Sequence, residues 1–163
     1  MGSLDVAAYK GNKDALARLL MGPERRFIES RYGIFGRTPL IIASCAGNLS
    51  CVELLLGAGA NVDGLSTNGV TALNLAAGMD RPLVVSVLLK AGASVDLASY
   101  NGWTPLMSAA LDAGPEIVRL LLEAGANTEA KNEKGQTALD IATREGKHRN
   151  VAVLVDASTT RTV

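Results

Sequence analysis

A tripeptide, Thr-Pro-Leu or its close copy Thr-Ala-Leu, starts at Thr38, Thr71, Thr104 and Thr137, each 33 residues after the last. A glycine stands two residues before every copy: Gly36, Gly69, Gly102 and Gly135. A strict period of this length argues against one globular core. It calls for a stack of small units, each burying its apolar face against the next. The period also constrains function, because a stack offers an extended surface for binding and no evident pocket for chemistry.

The unit at residues 34–66 shows what each copy does. Thr38 can cap a helix start, its hydroxyl accepting from an otherwise unpaired backbone N–H. Pro39 follows at the first helical position, where a missing N–H costs nothing. A first helix is predicted from about Pro39 to Ala46, broken by Gly47-Asn48. A second runs from about Leu49 to Leu56, with Val52, Leu55 and Leu56 on one face, and Gly57 and Gly59 end it. In the other units the second helix falls at Leu83–Lys90, Glu116–Glu123 and His148–Val155. A small residue recurs mid-way along the first helix at Ala43, Ala76, Ala109 and Ala142, where helices would cross most closely.

A degenerate unit precedes these. Ala7 to Gly11 matches Ala43 to Gly47, and Leu19-Leu20 matches Leu55-Leu56, at a spacing of 36 rather than 33. The extra residues fall within Gly22 to Gly33, so the first connecting loop is expected to be irregular. The division is one repeat domain over residues 1–163: an N-terminal cap at 1–33, units at 34–66, 67–99 and 100–132, and a C-terminal cap at 133–158. Residues 159–163 are expected to fray. In the last unit Ser158 replaces the terminal glycine, and the array is expected to stop there.

Composition fits this organisation. Hydrophobic residues make up 48% and aromatics 4%, so the core must be aliphatic, which suits closely packed helices. Residues 34–99 hold seven charged side chains, whereas residues 1–33 hold ten and residues 133–163 nine. Polar ends around an apolar middle suit a stack whose terminal units each face water.

Gly-x-Thr-Pro-Leu, a small-residue pair, Gly-Asn and Leu-Leu-x-x-Gly-Ala, repeated every 33 residues, resemble the ankyrin repeat. The resemblance covers about residues 4–158. It implies an all-α repeat solenoid: an ankyrin-type stack of five helix-turn-helix units including two caps, with a β-hairpin finger at each junction. That family usually places His after Thr-Pro-Leu to bridge neighbouring loops. Here the position holds Ile41, Asn74, Met107 and Asp140, so only Asn74 and Asp140 can supply part of such a bond. A second departure lies in the turn between helices, where Asp80 and Ala113 stand in place of glycine and Pro82 and Pro115 open the next helices.

The resemblance implies that a partner sits against the fingers and the first helices. Candidate contact residues are therefore Phe35, Arg37, Asn68, Val70, Met79, Tyr100, Asn101, Trp103, Leu111, Asp112, Lys134, Gln136 and Arg144. Four of the six aromatics, Tyr32, Phe35, Tyr100 and Trp103, lie in or beside the fingers. Aromatic anchors and arginines supply most hot spots at interfaces, which centres the expected site on Tyr100, Trp103, Leu111 and Met79 and extends it to Phe35 and Arg37. Trp103 can equally pack on the adjacent finger, and Tyr32 can simply cover the first loop.

Chemistry is not indicated. His148 is the sole histidine and falls on the C-terminal cap. No Cys/His cluster has metal-ligand spacing, no cofactor motif occurs, and the glycines belong to the repeat rather than to a phosphate loop. Cys51 matches the core positions Val84 and Ile117, whereas Cys45 matches Leu111 on the exposed face. Arg18, Arg25, Arg26 and Arg31 read as a solvated cap face or a docking site for an acidic partner. With 16 basic and 16 acidic residues there is no long-range pull toward nucleic acid or membrane. No secretory signal or membrane span is visible, and two cysteines suit a reducing cytoplasm. The expectation is a non-catalytic, monomeric protein-interaction module that acts as adaptor, scaffold or inhibitor. The alternative is a structural spacer or a repeat segment of a larger multidomain protein.

Overall fold

The computed structural model describes residues 3–160. Five helix pairs follow one another: α1 (Leu4–Lys10) with α2 (Lys13–Met21), α3 (Pro39–Ala46) with α4 (Leu49–Gly57), α5 (Ala72–Gly78) with α6 (Pro82–Lys90), α7 (Pro105–Asp112) with α8 (Pro115–Glu123), and α9 (Ala138–Arg144) with α10 (His148–Thr160). The odd-numbered helices pack in sequence as an inner layer, the even-numbered ones as an outer layer, and each pair packs together. A single 3₁₀ turn, Pro23–Phe27, occupies the irregular first loop. The last helix continues through Thr160. Residues 161–163 lie outside the described residues.

Local chemistry sets the boundaries. Thr38, Thr71, Thr104 and Thr137 each stand in extended backbone and accept from the N–H three residues on, satisfying a donor that the helix leaves open. Gly11 and Gly47 close α1 and α3 in the left-handed conformation, which costs a residue without Cβ little. Asp80 takes that conformation with φ 54°, and its Oδ1 accepts from Gly114 N–H at 3.1 Å. Ala113 does not; its backbone is extended, so the carbonyls ending α7 need another donor. Asn150, 2% exposed, supplies it. Its Nδ2 donates to the carbonyls of Ala109, Ala110 and Ala113.

The core is aliphatic. Ala43, Ala76, Ala109 and Ala142 are fully buried beside Leu40, Leu73, Leu106 and Ile141. Burying each large aliphatic side chain is worth roughly 1.5–3 kcal/mol, and the alanines let neighbouring inner helices approach.

Two ladders of hydrogen bonds tie the units together at the repeat spacing. On the finger side, Thr67, Tyr100 and Glu133 donate their N–H to the carbonyls of Phe35, Asn68 and Asn101. At the opposite ends of the units, Glu29, Asp63 and Asp96 accept from the N–H of Asn61, Ser94 and Asn127. The replaced histidine positions divide as their chemistry dictates. Asn74 donates to Trp103 O in the next unit at 3.2 Å. Asp140 bonds within its own unit to Thr137. Ile41 and Met107 fill the core at 1% exposure.

Candidate functional site

The expected hairpin fingers exist in minimal form. Ser66, Ser99 and Asn132 donate N–H to the carbonyls of Val70, Trp103 and Gln136, and their side-chain oxygens accept from the N–H of those same residues. The matching position of the first finger is Gly33, which has no side chain to accept. There the pairing moves back one residue, and Tyr32 and Arg37 exchange both backbone hydrogen bonds as an antiparallel bridge. Residues paired across such a bridge project to the same side, and Tyr32 and Arg37 accordingly line one groove.

That groove has a volume of about 830 Å³. Asp5, Val6, Tyr9 and Lys10 of α1, the Tyr32–Arg37 pair, Ile42, Cys45 and Ala46 of α3, and Arg81 from the following unit line it. Both arginines are held in place. The Arg37 guanidinium lies 4.8 Å from the Phe35 ring centroid, a stacked arrangement that leaves its N–H edge open. Arg81 donates through Nε to Cys45 O at 3.5 Å and packs its stem on Gly47, where an added Cβ would lie 2.9 Å from Arg81 Cδ. Among the described residues the ion pair within 4 Å is Arg144 with Glu145, so neither groove arginine has a carboxylate partner. Tyr32 holds its hydroxyl above the ordinary tyrosine pKa, chiefly through burial and then through the Asp5 carboxylate.

The other sequence-predicted residues are distributed along the same face. Tyr100 is 66% exposed, with its ring lying against the backbone of Gly69. Met79 is 48% exposed, and Leu111 is half-buried beside an exposed Asp112. Trp103 is half-buried and packs against the core, so its packing on the stack is the better described of its two roles. Asn68, Asn101 and Lys134 are exposed, and Val70 is half-buried. The half-buried Gln136 is occupied within its own finger, accepting from Asn132 Nδ2 at 3.3 Å. Arg144 is paired with Glu145 at 2.8 Å.

The basic residues of the first loop are partly engaged as well. Arg25 donates to Ala58 O at 2.9 Å, and Arg26 stacks on Phe27. His148 is exposed. Cys51 is fully buried, and burial raises its thiol pKa.

Sequence reasoning did not place Tyr9, Lys10 and Arg81 at the site. The signal for Tyr9 was available: Ala7 aligns with Ala43, which puts Tyr9 in register with Cys45 at the exposed end of a first helix. Arg81 aligns with Asn48, a turn position that carries no signature of a surface role.

Among the described residues no group of three His, Cys, Asp or Glu is placed to hold a metal ion. No described helix is long and apolar enough to cross a membrane.

Models of ankyrin repeats match residues 4–99, as three copies, and residues 88–142. Inversin of Homo sapiens is 42% identical over 72 residues, covering 44% of this chain and 7% of inversin. Inversin of Danio rerio is 40% identical over 72 residues, covering 44% of this chain and 7% of that protein. Ankyrin repeat and SOCS box protein 12 of Homo sapiens is 40% identical over 72 residues, covering 42% of this chain and 23% of that protein. The matches thus span a small part of each of these relatives.

Proposed function

This chain belongs to the ankyrin-repeat family, whose repeats generally mediate protein–protein interaction, and on that premise we propose that it binds a protein partner through its finger and inner-helix face. The observation that carries this reading is the placement of exposed apolar side chains. Among the described residues, Val6, Tyr9, Ile34, Phe35, Met79 and Tyr100 lie on the fingers or on the inner helices and their ends, whereas the exposed Met21, Phe27, Leu83 and Val155 are scattered over the first loop and the outer helices. Large apolar side chains gathered on one side of a protein are a mark of an interaction surface. In this reading Tyr100, Trp103, Leu111 and Met79 form one apolar stretch. Phe35 and Arg37 extend it toward the N-terminal units. Asn68, Val70, Asn101, Asp112, Lys134, Gln136 and Arg144 contribute its polar surroundings. The module is a non-catalytic, cytoplasmic monomer that acts as adaptor, scaffold or inhibitor.

A second reading has support in the relatives. Inversin is far longer than the matched segment, so the repeats also suit a spacer or binding segment within a larger chain. The mass of the native protein separates the two, since a mass well above 16.9 kDa favours the segment.

The direct test is a Tyr100→Ala/Trp103→Ala double variant, checked by circular dichroism and used in parallel with the intact protein to capture partners. Capture is expected to fall by at least about tenfold, the effect of losing aromatic anchors. Unchanged capture by a folded variant removes Tyr100 and Trp103 from the site.

A further inference from the structure

We propose that the groove formed by the first three units binds a net-acidic segment of the protein partner, with Arg37 and Arg81 each receiving a carboxylate. The proposal rests on the protein-binding reading above and assigns the partner's chemistry at one place on that face. Three observations carry it.

The first is charge. Lys10, Arg37 and Arg81 stand against Asp5 around the groove, and neither arginine has a carboxylate within ion-pair distance. In a chain with equal numbers of acidic and basic residues, this local excess of positive charge is a property of the site.

The second is preorganisation. Phe35 stacks on Arg37, while the Arg81 side chain lies against the Gly47 backbone with its Nε 3.5 Å from Cys45 O. Part of the ordering cost of two long side chains is therefore met before a ligand arrives. A guanidinium held by its face or its stem still presents a planar fork of donors, the geometry that matches a carboxylate.

The third is shape. About 830 Å³ is room for several side chains rather than one small anion. The apolar parts of Val6, Ile42, Ala46, Tyr9 and Tyr32 flank the cations. A peptide that alternates acidic and apolar side chains satisfies both parts of this lining; a free phosphate satisfies only one.

The test is selection from a displayed random peptide library against the intact protein and, separately, against an Arg37→Glu/Arg81→Glu variant whose melting curve shows it folded. Peptides selected by the intact protein are expected to be enriched in Asp and Glu. Those selected by the variant are expected to lose that enrichment or reverse it toward Lys and Arg. A synthetic acidic peptide from the first selection is expected to lose at least about tenfold in affinity when either arginine becomes Ala, the size of a lost charge-assisted hydrogen bond. Its binding should weaken as salt rises. It should also slow alkylation of Cys45, which lines the groove, with the fully buried Cys51 as internal control.

Selected peptides with no acidic bias, or acidic peptides that leave Cys45 alkylation unchanged, overturn the proposal. If such peptides instead depend on Tyr100 and Trp103, the groove assignment falls while the interaction-module reading stands. If no selected peptide depends on the finger and inner-helix face at all, both fall. Should the charge-reversed variant not fold, Arg37→Gln/Arg81→Gln replaces it with the same criteria.

Discussion

The two halves of this stack use the same repeat differently. At the N-terminal end two variable cations, Arg37 and Arg81, face a groove with no carboxylate within ion-pair distance. At the C-terminal end the residues in register with Arg37 and Cys45 are engaged. Gln136 is bonded to Asn132, Arg144 is paired with Glu145, and Trp103 packs on the core while its carbonyl accepts from Asn74. The cause is local. Gly33 gives the first finger no side-chain acceptor, so a Tyr32–Arg37 bridge forms in its place, whereas Ser66, Ser99 and Asn132 tie down the later fingers. A position that varies between repeats is therefore not always a position available to a partner.

Equivalent positions in the two halves sharpen this contrast. Asn150 and Cys51 occupy the same place in their units. Asn150 satisfies carbonyls at the open end of α7; the Cys51 thiol lies 4.0 Å from Ala7 O, at the end of a helix already closed by Gly11. Asn150→Ala is expected to cost about 1–3 kcal/mol in urea unfolding, because buried acceptors lose their donor. Cys51→Ala should cost about 1 kcal/mol or less, the transfer of one small apolar group. Equal losses would mean that Asn150 serves only as filling.

A smaller effect separates Asn74 from Asp140, which form the same capping box in different units. The N–H and hydroxyl of Thr137 donate to the Asp140 carboxylate and lower its pKa. A depressed folded pKa gives a contribution that is complete above the ordinary aspartate range and lost as pH falls through the folded value. Thermal unfolding of the wild type should therefore lose more on acidification than that of Asp140→Asn, which keeps the box without the charge. Identical pH profiles would show that the box in the last unit gains nothing from ionisation.

Much of the scaffold was legible from local chemistry. Thr38, Pro39 and Gly47 mark α3 at both ends, and its bounds follow the sequence expectation. The Asn150 contact was not legible, because an asparagine in a polar terminal unit reads as surface until Ala113 is seen to leave α7 open. The groove was hidden for a related reason. It is assembled from three units, one of them out of register, and Arg81 enters it from a turn position. Tyr100 and Met79 were legible as exposed residues because fingers and helix ends face outward in any such stack. That Gln136 and Arg144 are engaged depends on partners the period does not specify.

Partner binding to the fingers and inner helices, as proposed, is tested most directly by amide chemical-shift mapping of the isotope-labelled protein with a selected peptide ligand. The expected result is a continuous set of shifted amides on α1, α3, α5 and α7 and the fingers, strongest around Arg37 and Cys45, with the outer helices unchanged. Shifts concentrated on α2, α4, α6 and α8, with the fingers silent, would contradict it.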